Sequence, residues 1–349
     1  MRADLELLRQ LMCSALADRG LPDHHVAIVA NGLLQTSLRG TDTHGIRLFE
    51  TYLKELDNGR SNPKPRIAKQ FHYPGVCSVD ADHALGLVAG QIASETVLDK
   101  AAELGISAAF VRNSNHFGAA SVYTMEMARH GCVGIALSNA DSLVAPLNSG
   151  KPLLGTNPIS IALPNAEDEP VCLDMATSQI SYTRLMTTLA AGKAPRSGWA
   201  VDATGADLAE ENGSFSALRP LGGYKGQGLG LMIALLCALL AAGPFDTELS
   251  HLYKPPYDIP RRVSHIFIAV HIARLPASDA FPERLRSILD NVRAWRTNDG
   301  NPVVIPGDPE RDAIRDRSEN GIPLTDTEWR FFDELAARHG KSLARQALT

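Results

Sequence analysis

The sequence predicts a mixed α/β fold framed by helices from both ends of the chain. Residues 3–56 and 325–340 carry apolar side chains at helical spacing. The stretch between them alternates short β-like runs with helical segments. Several of those runs are joined by turns too short for a parallel crossover, which makes the expected sheet mixed and not purely parallel.

Leu5, Leu8, Leu11, Met12, Ala15 and Leu16 recur at helical spacing over residues 3–19, and Gly20 closes the run. A second helix starts at Pro22, a favoured first helical position, and runs through Val26, Val29, Leu33 and Leu34. His24 and His25 in its first turn read as surface residues. After a polar stretch, a third helix covers Leu48–Leu56 and ends near Asn58-Gly59. The β-like runs then lie at 76–80, 106–111, 133–138 and 159–163, with helical stretches at 90–104 and 121–130 between them. Leu229 to Ala242 is an apolar run of about fourteen residues, short of the roughly twenty that span a bilayer, and reads as a buried helix. A late strand at 263–270 precedes a helix from Pro282 to Trp295. Thr325-Asp326-Thr327-Glu328 is a capping box for a last helix that stops at Gly340. The terminal helices are expected to pack together. The division is a helical domain of residues 1–70 plus 309–349 and a mixed-sheet domain of residues 71–308.

The bulk properties narrow the partners. A chain of 349 residues with 44% hydrophobic and 21% charged residues has globular composition and no signature of disorder. Its net charge of -5 argues against nucleic acid or anionic lipid as the main partner, while leaving room for a small anionic ligand at a local basic site. The five cysteines (Cys13, Cys77, Cys132, Cys172 and Cys237) are scattered and never form C-x-x-C, as expected of reduced thiols in a cytoplasmic protein. The N-terminus lacks the apolar core of a signal peptide.

Five stretches hold candidate chemistry. R-G-T-D-T-H-G-I-R (39–47) offers His44, whose ordinary pKa suits proton transfer, and Arg47, whose planar fork suits a carboxylate. The same run also fits a polar interhelical loop with a hydrogen-bonded histidine. N-S-N-H-F-G-A-A (113–120) puts His116 at the carboxyl end of a strand, where open α/β sheets bind ligands, or in a simple helix-capping turn. In G-T-N-P (155–158), Thr156 can donate to a carboxylate or carbonyl; in D-M-A-T-S (174–178), Asp174 can accept from a ribose hydroxyl. Each also fits a structural turn. G-G-Y-K-G-Q-G-L-G (222–230) opens an apolar helix with spaced glycines and Lys225, an arrangement that meets an anion or that packs helices closely. It is neither a Walker loop nor a dinucleotide fingerprint, because no G-x-G-x-x-G occurs. I-P-G-D (305–308) is a turn able to close over a ligand. Brought together, these groups suit hydride transfer to a carbonyl or imine beside a carboxylate. No Ser-His-Asp order, metal-ligand spacing or paired-carboxylate pattern competes.

In this order and at these separations, the five stretches resemble the malate/L-lactate dehydrogenase family that is unrelated to the Rossmann-type lactate and malate enzymes. That family includes ureidoglycolate dehydrogenase, diketogulonate reductase, sulfolactate dehydrogenase and the piperideine/pyrroline-2-carboxylate reductases. The resemblance implies an NAD(P)-binding domain of non-Rossmann topology built on the mixed sheet. It also implies NAD or NADP as cofactor, a small 2-oxo or 2-hydroxy acid as substrate, and a homodimer with active sites near the subunit interface. Carried over by position, His44 is the proton donor, Thr43 its hydroxyl relay, Arg47 the carboxylate holder and Thr156 a substrate contact. His116, Phe117 and Gly118 line the cofactor, and in some relatives His116 is itself the proton acceptor. Asp174, Met175, Ala176, Lys225, Gly226, Pro306, Gly307 and Asp308 resemble further cofactor contacts. Five positions depart from the family pattern. Thr43 replaces serine, Arg47 falls three and not four residues after His44, and Arg184 stands where imine reductases carry aspartate. Ala234 replaces a common acidic residue, and His271 a common aspartate. The alternatives to a 2-hydroxy-acid dehydrogenase are a cyclic imine reductase and a non-catalytic dinucleotide-binding protein.

Overall fold

A computed structural model describes residues 1–343 apart from residues 167, 210–212 and 277. In chain order, β1 (Arg2–Ala3), α1 (Leu5–Ala17), α2 (Asp23–Leu38) and α3 (Phe49–Asp57) lead into β2 (Ala68–Tyr73) and β3 (Val76–Asp80). Next come α4 (Gly86–Leu104), β4 (Ile106–Ser114), α5 (Ser121–Arg129), β5 (Cys132–Ser138), β6 (Ile159–Leu163) and β7 (Val171–Met175). They are followed by α6 (Tyr182–Ala190), the short β8 (Ala200–Val201) and β9 (Ala217–Leu218), and α7 (Tyr224–Leu240). The last elements are β10 (Val263–His271), α8 (Phe281–Ala294), α9 (Asp308–Asn320), β11 (Ile322–Pro323) and α10 (Asp326–Arg338).

Seven strands form one sheet in the order β2-β3-β4-β10-β5-β6-β7. The sheet is mixed, as expected: β3 and β4 run parallel across the α4 crossover, and every other neighbouring pair is antiparallel. β10 lies between two strands that are consecutive in sequence, with Phe267 opposite Ala109 on β4 and Ala136 on β5. Small residues on its neighbours leave room for the Phe267 ring, which is fully buried.

The ends of the chain meet as expected. Asp4 caps α1 by accepting from Leu7 N at 2.8 Å, and Leu8, Leu11, Met12, Ala15 and Leu16 face inward. Thr325 and Glu328 form the capping box of α10, with Thr325 N donating to Glu328 Oε2 at 2.7 Å. Phe332 of α10 stacks on Phe49 of α3 (centroids 6.1 Å, interplanar angle 6°), and Phe331 meets Phe49 edge-on. β1 pairs antiparallel with β11, Ala3 facing Ile322. These helices share one continuous core with the sheet: Leu33, Phe49 and Phe332 belong to the same buried cluster as Val79, Val111 and Phe267.

Four details differ from expectation. His25 is buried, because its position on α2 turns inward beside Val26 and Val29. Pro22 caps α2 instead of opening it. The apolar helix α7 is buried on one side only, through Ile233, Ala234 and Cys237, and leaves Met232 54% and Leu239 73% exposed. The 174–178 run begins inside β7, and β2, α6 and α9 form where the sequence showed no clear periodicity. Among the described residues, no helix is long and apolar enough to cross a membrane.

Phe332→Ala should cost about 3–5 kcal/mol by removing a fully buried ring at the junction of α3 and α10. Equilibrium urea unfolding measures this loss, and a change under 1 kcal/mol would show that the terminal helices do not fold with the sheet.

Candidate active site

One end of the sheet, across the tips of its strands, opens onto a cleft of about 510 Å³. The carboxyl ends of β4, β5 and β7 reach it, as do the segments that enter β6 and β10. Its lining includes Thr43, His44, His116, Thr156, Asp174 and Tyr253.

His44 ends a one-turn helix, Asp42–His44, that is pinned from two sides. Arg317 of α9 grips Asp42, its Nη2 donating to Oδ2 at 3.0 Å. On the other side, Ile46 N donates to Ser37 Oγ of α2 at 2.9 Å. Thr43 Oγ1 lies 2.9 Å from His44 Nδ1, which keeps the hydroxyl partner that the sequence retained. The His44 ring stacks beside His116 with centroids 5.6 Å apart.

His116 follows the end of β4, and its backbone is held by close packing. Asn115 Nδ2 donates to the carbonyls of His83 and Ala84 at 3.0 Å each. Gly86, at the start of α4, permits the approach, since a Cβ there would stand 2.4 Å from the His116 carbonyl oxygen. Tyr52 of α3 lies fully buried with its hydroxyl 2.8 Å from His116 Nδ1, and Gly118 N donates to the same nitrogen at 3.4 Å. Nδ1 is therefore an acceptor, and the imidazole proton is assigned to Nε2. Next in the chain, Phe117 stacks flat on His265 of β10 (4.4 Å, 5°). Both nitrogens of His265 are satisfied, by Ser138 Oγ and Ser114 Oγ at 2.8 Å each.

Burial sets the protonation states. It lowers the pKa of His44, an effect that the Asp174 carboxylate partly opposes. Burial likewise holds His116 well below its ordinary value, and the neighbouring charges of His44, Arg261 and His265 push it further the same way. His265 is brought down to about 3, chiefly by burial. Burial raises Tyr52, so it stays a phenol and a donor.

The remaining groups divide cleanly. Thr156 lines the cleft because Asn157 beside it is locked: its Nδ2 donates to the buried Asp246 at 2.8 Å and to Gly230 O at 3.0 Å. Burial raises Asp246 to about 6. Asp174 accepts from Ser121 N at 2.8 Å at the start of α5. Thr43, Phe117, Gly118, Met175 and Ala176 also line the cleft.

Six expected site residues stand away from the cleft in the single chain. Arg47 falls in the next helical turn, Ile46–Leu48, and pairs with Glu328 (Nε–Oε1 2.7 Å) over an adjoining groove. Lys225 is exposed on the first turn of α7, and Gly226 is a packing glycine whose Cβ would stand 2.0 Å from Leu221 O. Pro306, Gly307 and Asp308 sit behind β7: Pro306 O accepts from Cys172 N at 3.3 Å, and Asp308 is bound by Arg293 and Arg311. Among the departures from the family pattern, Ala234 is core, Arg184 is exposed and His271 ends β10. Tyr52, Asp141, Asp246, Arg261 and His265 had no sequence signal, because each acts through partners at least 60 residues away.

Comparison with known proteins finds relatives that match the chain over nearly its whole length. A family model described as malate/L-lactate dehydrogenase matches residues 3–332. The malate dehydrogenase of Pyrococcus horikoshii is 30% identical over 349 residues, covering 97% of this chain and 96% of that protein. Its solved structure superposes with a TM-score of 0.88 at 28% identity, covering 99% of this chain and 97% of that one. Ureidoglycolate dehydrogenase (NAD(+)) of Escherichia coli is 28% identical, with 95% of each chain covered. The (2R)-3-sulfolactate dehydrogenase (NADP(+)) of Chromohalobacter salexigens is 30% identical, covering 89% of this chain and 91% of that protein.

Tyr52→Phe should release the His116 tautomer without moving its backbone. Nitrogen-15 spectra of the imidazoles are expected to show a single Nε2-protonated His116 in the parent protein and a mixture in the variant. An unchanged spectrum would remove Tyr52 as the group that fixes the proton.

Proposed function

The chain belongs to the malate/L-lactate dehydrogenase family and is an NAD(P)-dependent 2-hydroxy-acid dehydrogenase, and from that premise we propose how its cleft works. The substrate is a small 2-oxo or 2-hydroxy acid, and His44 is the acid–base group. One observation carries this reading: two half-buried imidazoles lie side by side at the ends of the strands, in a cleft whose other walls combine hydroxyls and apolar surface with a few charged groups such as Asp174.

The residues present fit the cofactor. Phe117, Met175, Ala176, Ile180 and Leu221 offer apolar surface for flat rings, and Asp174 and Asn139 offer polar contacts at strand ends. When bound, the nicotinamide supplies or accepts the hydride. His44 gives a proton to the substrate oxygen during reduction and takes it back during oxidation, with Thr43 holding its Nδ1 side. His116 keeps its proton on Nε2 and stabilises charge on the same oxygen as a neutral donor. Thr156 adds a hydroxyl contact.

In this reading Arg47 holds the substrate carboxylate from the neighbouring wall. Thr183 borders both its groove and the cleft, and exchanging Glu328 for a substrate carboxylate keeps the guanidinium paired. Lys225 and the Pro306–Asp308 turn are outer cofactor contacts in this reading. The exposed apolar side of α7, with Met232, Leu239 and Leu240, is the face covered by a second copy of the chain, which makes the working unit a homodimer.

The deciding experiment is oxidation of NADH and NADPH across a panel of 2-oxo acids, where binding without turnover would identify a non-catalytic protein. His44→Ala should lower kcat by about 10²–10⁴-fold with little change in cofactor affinity. Because the His44 pKa lies below 6.5, kcat/KM for reduction should fall as pH rises through that value, while oxidation should fall as pH drops below it. A flat profile in both directions would exclude His44 as the proton-transfer group.

A further inference from the structure

One buried acid stands behind the cleft and takes no part in the reaction as described. Asp246 lies a few residues past α7 and is fully buried. Its Oδ2 accepts from Gly155 N at 2.7 Å and from Asn157 Nδ2 at 2.8 Å, one donor on either side of Thr156. Asn157 Oδ1 accepts in turn from Ala140 N at 3.0 Å, just past the end of β5. Two residues before Asp246, Pro244 O accepts from Asn139 Nδ2 at 2.9 Å. The backbone gripped in this way is tightly packed. A Cβ on Gly155 would stand 2.3 Å from Ala140 O, and Asn157 has a φ of +30°, a value that a residue with a side chain keeps only when its surroundings impose it. Thr156 O accepts from Thr177 N at 2.8 Å and from Thr177 Oγ1 at 3.0 Å, which ties it to the end of β7. Thr156 lines the cleft, and among the described residues its Oγ1 makes no hydrogen bond. Asp246 Oδ1 is buried without a partner, a cost that an apolar side chain of similar size would avoid. What the carboxylate supplies in return is a fixed acceptor behind Thr156.

We infer that Asp246 is a positioning residue for the reaction, which sets the Thr156 hydroxyl against the substrate and acts on turnover through that hydroxyl. The inference rests on the 2-hydroxy-acid reading of the cleft, with Thr156 as a substrate contact. His44 and His116 are held by other contacts, from Ser37, Arg317 and Tyr52, so the proton donor keeps its place without Asp246. A hydroxyl that meets the acid equally in the ground and transition states changes KM and leaves kcat as it was. Displacing it by an ångström is enough for a large effect.

The test is a double-mutant cycle read on the reduction of pyruvate, oxaloacetate or, failing both, the best 2-oxo acid of the panel. Asp246→Ala should raise KM for the acid at least tenfold. Its kcat, and its NADH dissociation constant from fluorescence titration, should stay within threefold of the parent protein. Asp246→Asn keeps an acceptor oxygen in place and should stay within threefold in all three. Thr156→Val should raise KM by a factor similar to that of Asp246→Ala, and combining the two should raise it no further. If the alanine variant does not fold, Asp246→Ser, whose hydroxyl is too short to reach both donors, replaces it with the same expectation. The inference is overturned by factors that multiply in the double variant, by an asparagine variant no better than the alanine one, by an equal loss of cofactor affinity, or by a KM that stays within threefold. Each of these leaves the dehydrogenase reading intact. A parent protein that reduces no 2-oxo acid overturns both.

Discussion

The hydrogen bond between Tyr52 and His116 is the contact around which the cleft is arranged. Two half-buried imidazoles packed side by side repel each other when both are charged, which favours a neutral ring for at least one of them. Burial holds His116 neutral, and Tyr52 occupies its Nδ1 as a donor, with burial keeping the phenol protonated for that task. His44 differs in having a carboxylate, Asp174, that favours its protonated form. Next to His116, Phe117 stacks on His265, whose imidazole burial also keeps neutral.

The terminal helices frame this chemistry more than they enclose it. Arg317, late in the chain, holds the turn that presents His44, and Glu328 in the α10 capping box holds Arg47. β1 and β11 fasten the two ends beside these contacts. The helical unit therefore shares a core with the sheet, and the turn that carries His44 is held by Arg317, 275 positions beyond its partner Asp42.

Much of this was legible in the sequence, and the reasons are local. The periodicity of Leu5 to Leu16, the capping box at Thr325 and the strand at 263–270 depend on neighbours a few residues apart, and each appears where expected. His44, His116, Thr156 and Asp174 were visible because glycine- and hydroxyl-rich turns mark strand and helix ends. Their supports were not visible. Tyr52 looks like any apolar position of α3, and Asp246 like any loop acid, until the fold brings His116 and Asn157 to them. Arg47 shows the converse: its chemistry was plain, but in the single chain it pairs with Glu328 of α10. Likewise α7 has the composition of a core helix, yet the single chain covers only one side of it.

The placement of β10 also governs how the chain reaches this state. β4 and β5 are separated by 17 residues in sequence, yet neither can pair with the other, because a strand more than 120 residues further on must come between them. During synthesis, two apolar strand edges wait unpaired while the whole 139–262 segment emerges. Sheet closure is thus a late, long-range event that dominates the folding rate. Until it happens, the growing chain exposes open strand edges of the kind that favour aggregation.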